Sequence, residues 1–225
     1  MVKQLLAIDF MDKHTSFAHA IDGEIIHYSN LIYDSLSAEL LNNLDKFLME
    51  QNIKIIDFDA FAVCNGPGGY TSLRVAIATI KGIASSLNKQ VQGISKLAAS
   101  AYVAMQTQDE FQDIISFHKI RDSHYIFAIY NEANLLNPKI KEQFIEFNQA
   151  AVNHLPKKAI LCGDIPEDFS QMFNTQLLSG EYKILEEAKK DARAIAQLAH
   201  ARKNYYGADD LDVLYPLPPK IHKKK

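Results

Sequence analysis

Only two of the 225 residues are cysteine, Cys64 and Cys162, and each lies inside an apolar run. Two such residues build neither a disulfide framework nor a zinc knuckle, so they read as buried free thiols. A surplus of one charge is lacking as well. Lys and Arg number 24 against 27 Asp and Glu, a formal net charge of −3, with a pI near 6.2. That balance gives no global field to draw the chain onto nucleic acid or an anionic membrane. No apolar run approaches the roughly 18 residues that would suggest a membrane helix. The start runs straight into Leu5-Leu6-Ala7-Ile8, without a basic segment and a long apolar stretch. The expectation is a soluble, cytoplasmic protein.

Catalytic signatures are equally scarce. The chain contains no P-loop string, no Gly-x-Gly-x-x-Gly, no His-x-x-x-His and no Gly-x-Ser-x-Gly elbow. Its eight histidines are scattered and read as surface or packing residues. Repeats and low-complexity stretches are missing apart from Lys223-Lys224-Lys225. Together with Lys220 these read as a solvated tail in preference to a contact with phosphates.

What is present is enough apolar material, 48% of residues, for a sizeable core. Strand signals at 4–10, 15–21 and 24–29 come first, with Asp22-Gly23 as a hairpin turn between the last two. Leu36, Leu40, Leu44, Phe47 and Leu48 recur at helical spacing over 35–51, begun by Asp34 or Ser35 as cap. A strand at 58–64, a helix at 71–87, a strand at 91–94 and a helix at 95–106 follow. Hairpin strands and then alternating helix and strand predict a mixed α/β sheet flanked by helices. Beyond a boundary near 107–110 come strands at 113–118, 124–130, 139–147 and 159–162, then helices at 167–173 and 191–205. The proline-bearing stretch 211–219 is expected to lie extended on the body. Two lobes result, 1–106 and 107–225, with packing of the terminal segment back onto the first lobe as an option.

The most informative stretch joins the strand at 58–64 to the next helix: Gly66, Pro67, Gly68, Gly69, Tyr70, Thr71, Ser72, Leu73 and Arg74. Glycines between a buried strand and a helix N-terminus suit either a tight structural turn or a phosphate cradle, and spacing favours the turn. Asp9, at a strand end, reads as a hydrogen-bonding carboxylate before a magnesium-binding or catalytic one. Arg74 stays protonated, which suits a loop contact or a partner carboxylate better than acid–base chemistry.

Read together with Val75-Ala76-Ile77-Ala78-Thr79-Ile80-Lys81-Gly82-Ile83-Ala84 and Gly93-Ile94-Ser95-Lys96-Leu97, this stretch resembles the TsaB (YeaZ) family of tRNA threonylcarbamoyladenosine biosynthesis. Fainter echoes are Ala7-Ile8-Asp9, Arg121-Asp122-Ser123, Gly163-Asp164 and the 211–215 tail. Two positions depart from the pattern: Gly69 and Ser72 exchange the family's usual Ser and Gly, and Asp9-Phe10-Met11 replaces Asp-Thr-Ser. The resemblance implies two ribonuclease-H-like lobes of the actin/sugar-kinase (ASKHA) fold. It also implies a non-catalytic subunit that supports the transferase TsaD, together with TsaE, while another enzyme makes the threonylcarbamoyl donor. ATP and metal would belong to the partner subunits, tRNA would be met through the complex, and the isolated chain would form a homodimer.

In TsaD a helix carries two metal-binding histidines four residues apart; Lys96 and Ser100 stand at those places here. The resemblance further implies a helix-pair interface, assigned to Leu36, Leu40, Leu44, Phe47, Leu73, Ala76, Ile77, Ile80, Lys81 and Ala84. Taken singly, each of these residues reads more simply as internal core. The rival functions are a small-molecule kinase of the same fold and a glycoprotease-like metalloprotease.

Overall fold

Asp22 and Gly23 both adopt positive φ, 50° and 90°, the two-residue turn whose twist matches that of its flanking strands. They join β2 (His14–Ile21) to β3 (Glu24–Ile32), and β2 pairs antiparallel with β1 (Gln4–Asp9). In this computed structural model residues 2–10, 14–32, 36–107, 113–131, 137–148, 155–185 and 191–214 are described. The expected cap at Asp34 or Ser35, most of the lobe boundary and the lysine tail lie outside them.

After α1 (Leu36–Glu50), β4 (Ala60–Gly66) adds parallel to β1. Then α2 (Tyr70–Ser86) crosses over to β5 (Gln90–Ser95), which leads directly into α3 (Lys96–Gln106). The first sheet has the order β3-β2-β1-β4-β5.

β6 (Asp113–Arg121), β7 (His124–Asn131) and β8 (Ile140–Glu146) form an antiparallel meander. β9 (Ala159–Gly163) pairs parallel with β6, followed by short helices α4 (Phe169–Met172) and α5 (Asn174–Leu178) and by β10 (Tyr182–Leu185). Read from its meander edge, the second sheet runs β8-β7-β6-β9-β10. The two halves thus repeat one topology that no sequence repeat announces. β10 is also missing from the sequence expectation, because four residues with a lysine among them leave no readable alternation.

The period-2 pattern of β6 and β7 explains the second sheet's two sides. Ile114, Ile126, Ala128 and Tyr130 join the larger core shared with the first sheet. Ile115, Phe117, Tyr125, Phe127 and Ile129 join an aromatic cluster with Phe147, Phe169, Phe173 and Tyr182. There the Phe169 and Phe173 rings stack with centroids 4.2 Å apart.

The last helix, α6 (Ala192–Arg202), returns to the first sheet and packs across β1, β2, β3 and β4. It ends three residues before the expected 205, where Lys203 takes a left-handed conformation (φ 51°). Asp191 caps it by accepting from Arg193 N at 2.9 Å, and Ser16 Oγ accepts from Ala192 N at 2.9 Å. α3 touches both sheets and α6. The sheets therefore enclose a layer made of α3 and α6, while α1 and α2 cover the first sheet's other face.

Candidate functional site

The glycine loop begins where β4 ends. Gly66 has φ +119°, and a Cβ built there would lie 2.9 Å from both Leu214 O and Leu73 Cδ2. Glycine is required by the backbone conformation and by the chain passing over it. Gly66 and Pro67 are buried, Gly68 is partly covered, and Gly69 and Thr71 are exposed. Leu73 is fully buried and Ser72 half-buried.

The passing segment, residues 205–214, is strapped alongside β5 from Val91 and on to the carboxyl end of β4 at Asn65. Tyr206 N donates to Val91 O (3.0 Å), and Val91 N donates to Tyr206 O (2.9 Å). Gly93 N donates to the Tyr206 hydroxyl (2.7 Å), and burial raises that phenol's pKa. Leu214 N donates to Asn65 O (2.7 Å), and Asn65 Nδ2 donates to Asp212 O (3.2 Å). Within it Ala208–Asp210 forms a single 3-10 turn, where only extended chain was expected further on.

The helix-pair residues divide by side. Leu40, Leu44, Phe47, Leu73, Ala76, Ile77, Ile80 and Ala84 are all buried in the chain's own core. This corrects their assignment to a partner interface, because a stripe at helical spacing is used first to cover the helix's own sheet. Leu36 lies in α1, but its side chain falls outside the described residues. Lys81 is likewise engaged internally: its Nζ donates to Asp209 O at 3.0 Å and Leu211 O at 2.9 Å.

The outward side carries other residues, among them Leu41 (58% exposed), Met49 (69%) and Tyr70 (41%). Arg74, Ala78 and Gly82 continue it along α2, and nothing lies within 4 Å of a Cβ built on Gly82. The Arg74 guanidinium sits 4.5 Å over the Tyr70 ring, an aromatic–cation pair of the kind enriched at interface hot spots. In the sequence Leu41 stands next to the stripe residue Leu40. An exposed apolar residue beside a buried stripe was the available signal.

On α3, Lys96 and Ser100 are buried, and the Ser100 hydroxyl donates to Lys96 O at 3.0 Å. Ser95 caps the helix by accepting from Ala98 N at 3.1 Å. Among the described residues no group of three or more His, Cys, Asp or Glu gathers as a metal site. Asp9 closes β1 opposite Ser16. Burial, with Asp9 nearby, pushes the Cys64 thiol far up, so Cys64 is an inert core group. Cys162 is also a buried free thiol. Of the described helices, none is long and apolar enough to cross a membrane.

A family profile described as TsaD: tRNA N6-adenosine threonylcarbamoyltransferase matches residues 32–205, more than half of the chain. The TsaB tRNA threonylcarbamoyladenosine biosynthesis protein of Haemophilus influenzae is 26% identical over 145 residues, covering 64% of this chain and 59% of that protein. Its counterpart from Buchnera aphidicola subsp. Schizaphis graminum is 28% identical over 163 residues, covering 71% and 78%. Among solved structures, YeaZ from Pseudomonas aeruginosa aligns with a TM-score of 0.71 at 22% identity, covering 95% of this chain and 99% of that one. A putative N-acetylmannosamine kinase from Listeria monocytogenes aligns at 0.52 and 11%, covering 89% and 100%. The paired five-stranded sheets are thus of the actin and sugar-kinase kind, as the sequence resemblance implied. By its glycine loop, its fold and these matches, the chain belongs to the tRNA N6-adenosine threonylcarbamoyltransferase family, on its TsaB/YeaZ side.

Proposed function

We propose that this chain is a non-catalytic TsaB-like subunit that binds TsaD and, with TsaE, supports threonylcarbamoyl transfer to the adenosine next to the anticodon of tRNA. The observation that carries this reading is the α1–α2 pair of a TsaB-family fold. Its inner residues are spent on the core, yet its outer side still presents Leu41, Met49 and Tyr70. A standard interface takes about 800 Å² from each partner, and small residues such as Ala78 and Gly82 permit close helix approach. In isolation the same face pairs two copies of the chain. ATP and metal belong to the partner subunits, tRNA is met through the complex, and the complex works in the cytoplasm.

Reconstitution tests this reading. TsaD, TsaE, the donor-making enzyme and unmodified tRNA are assayed for modified adenosine with and without this chain. Modification that depends on the chain, and that is lost together with TsaD binding in Leu41→Asp/Met49→Asp, supports it. Equal modification without the chain and no complex with TsaD would reject it and return attention to a small-molecule kinase.

A further inference from the structure

Leu41, Asp45 and Met49 follow one another at i, i+4 and i+8, one outward ridge of α1 beside the inward ridge of Leu40, Leu44 and Leu48. All three outward residues are exposed, Met49 at 69%. The other sulfur atoms of the described residues are sheltered. Cys64 and Cys162 are buried free thiols, and burial pushes the Cys64 thiol far up, which removes the thiolate that an oxidant attacks. Met105 and Met172 are partly buried and pack against the two cores. Among the described residues Met49 is therefore the sulfur most open to solvent, and it sits on the helix pair whose outer side is assigned to docking.

A thioether is flexible and polarisable, and it moulds itself to irregular apolar surfaces. Its sulfoxide is polar and chiral, with an oxygen that accepts hydrogen bonds. In the free chain water answers that oxygen, because the side chain is exposed. Pressed against the apolar surface of a partner it loses water without gaining a donor, the unfavourable case for a polar group. Oxidation therefore penalises the docked state and leaves the folded chain alone. The same contact shields the sulfur, since a thioether covered by a partner is out of reach of an oxidant in solution.

We propose that Met49 is a reversible oxidation site for hydrogen peroxide, and that its sulfoxide releases the α1–α2 face from its partner. The thioether sulfur attacks one peroxide oxygen, so that the S–O bond forms as the O–O bond breaks. The departing hydroxide takes the proton left on the transferred oxygen and leaves as water. Sulfur loses two electrons and the peroxide gains them. Methionine sulfoxide reductases, one for each epimer, reverse the change. The inference rests on the docking role proposed above and adds a means of switching it.

The test treats the full chain with dilute hydrogen peroxide until peptide mass spectrometry finds one added oxygen on Met49, removes the peroxide, and compares affinity for TsaD before and after. The expected result is a loss of at least about tenfold, restored by the two sulfoxide reductases, with the unfolding midpoint unchanged by the treatment. Met1 and Met11 also carry thioethers, so Met49→Leu is treated in parallel, and its affinity should be the same before and after peroxide. In a mixture with TsaD, Met49 should oxidise more slowly than in the free chain. Undiminished affinity after oxidation of Met49, a Met49→Leu chain as sensitive as the native one, or equal oxidation rates with and without TsaD overturns the inference and leaves the docking role standing. An unoxidised native chain that does not bind TsaD removes the docking role, and this inference with it.

Discussion

Lys81 holds Leu211: its ammonium donates to the Leu211 carbonyl at 2.9 Å across 130 residues of sequence, and to Asp209 O at 3.0 Å. The cation in the middle of α2 therefore acts as the anchor of the strap. Hydrogen bonds to charged groups contribute about 1.5–3 kcal/mol where shielded, and partial exposure of Lys81 reduces this. Lys81→Met should lower stability by about 1–2 kcal/mol. It should also speed proteolysis within 205–214. Urea unfolding and limited proteolysis measure both, and an unchanged strap in the variant would remove the anchoring role.

Gly66 and Gly82 should respond in opposite directions. Gly66→Ala places a methyl group 2.9 Å from Leu214 O in a backbone conformation with φ +119°, and should cost more than about 1 kcal/mol. Gly82→Ala, in an exposed helix interior with open space around it, should gain about 0.5–1 kcal/mol. Chemical denaturation of the two variants side by side gives both signs.

Leu44 and Leu41 separate folding from docking. Leu44 is 4% exposed and Leu41 58%. Leu44→Asp buries a carboxylate in the core and should cost several kcal/mol, on the order of 3–5, enough to unfold a marginal domain. Leu41→Asp should leave the unfolding free energy unchanged within about 0.5 kcal/mol while weakening capture by TsaD. Circular dichroism and a binding assay on both proteins distinguish these effects; parallel loss of folding would contradict the inside–outside division of α1.

His19 should make stability fall on mild acidification. Gln51 Nε2 donates to Phe47 O (2.7 Å), which leaves Gln51 Oε1 to accept from His19 Nδ1 at 3.1 Å. Phe58 packs edge-on at 5.0 Å, His27 stacks at 6.1 Å, and Nε2 is buried without a hydrogen bond among the described residues. Burial holds the folded pKa of His19 below its ordinary 6.5, with the His27 charge adding to the shift and the Gln51 bond opposing it. Because the unfolded chain takes up the proton first, this contribution is complete above about pH 6.5. It declines as pH falls from there towards the folded value. His19→Gln should flatten the slope of unfolding free energy between pH 5 and 7; an unchanged slope would assign the acid sensitivity to other groups.

Much of this architecture is legible along the chain because it rests on local rules. Asp22-Gly23 names its own turn, the Leu40-Leu44-Phe47 stripe names a helix, and Gly66 to Arg74 names the family. The second lobe is harder to read because its core is aromatic and assembled from afar. Phe117, Phe147, Phe169 and Tyr182 meet only when β6, β9 and β10 are side by side.

By itself the sequence determined the α/β class, the element order of the first lobe and the resemblance carried by the glycine loop, because periodicity and turn chemistry act between near neighbours. Only the tertiary structure decided which side of α1 and α2 faces inward, that Lys81 is an anchor, and that residues 205–214 strap β5 and the end of β4. The last two depend on groups more than a hundred residues apart being brought within hydrogen-bonding distance, and no local pattern encodes such a meeting.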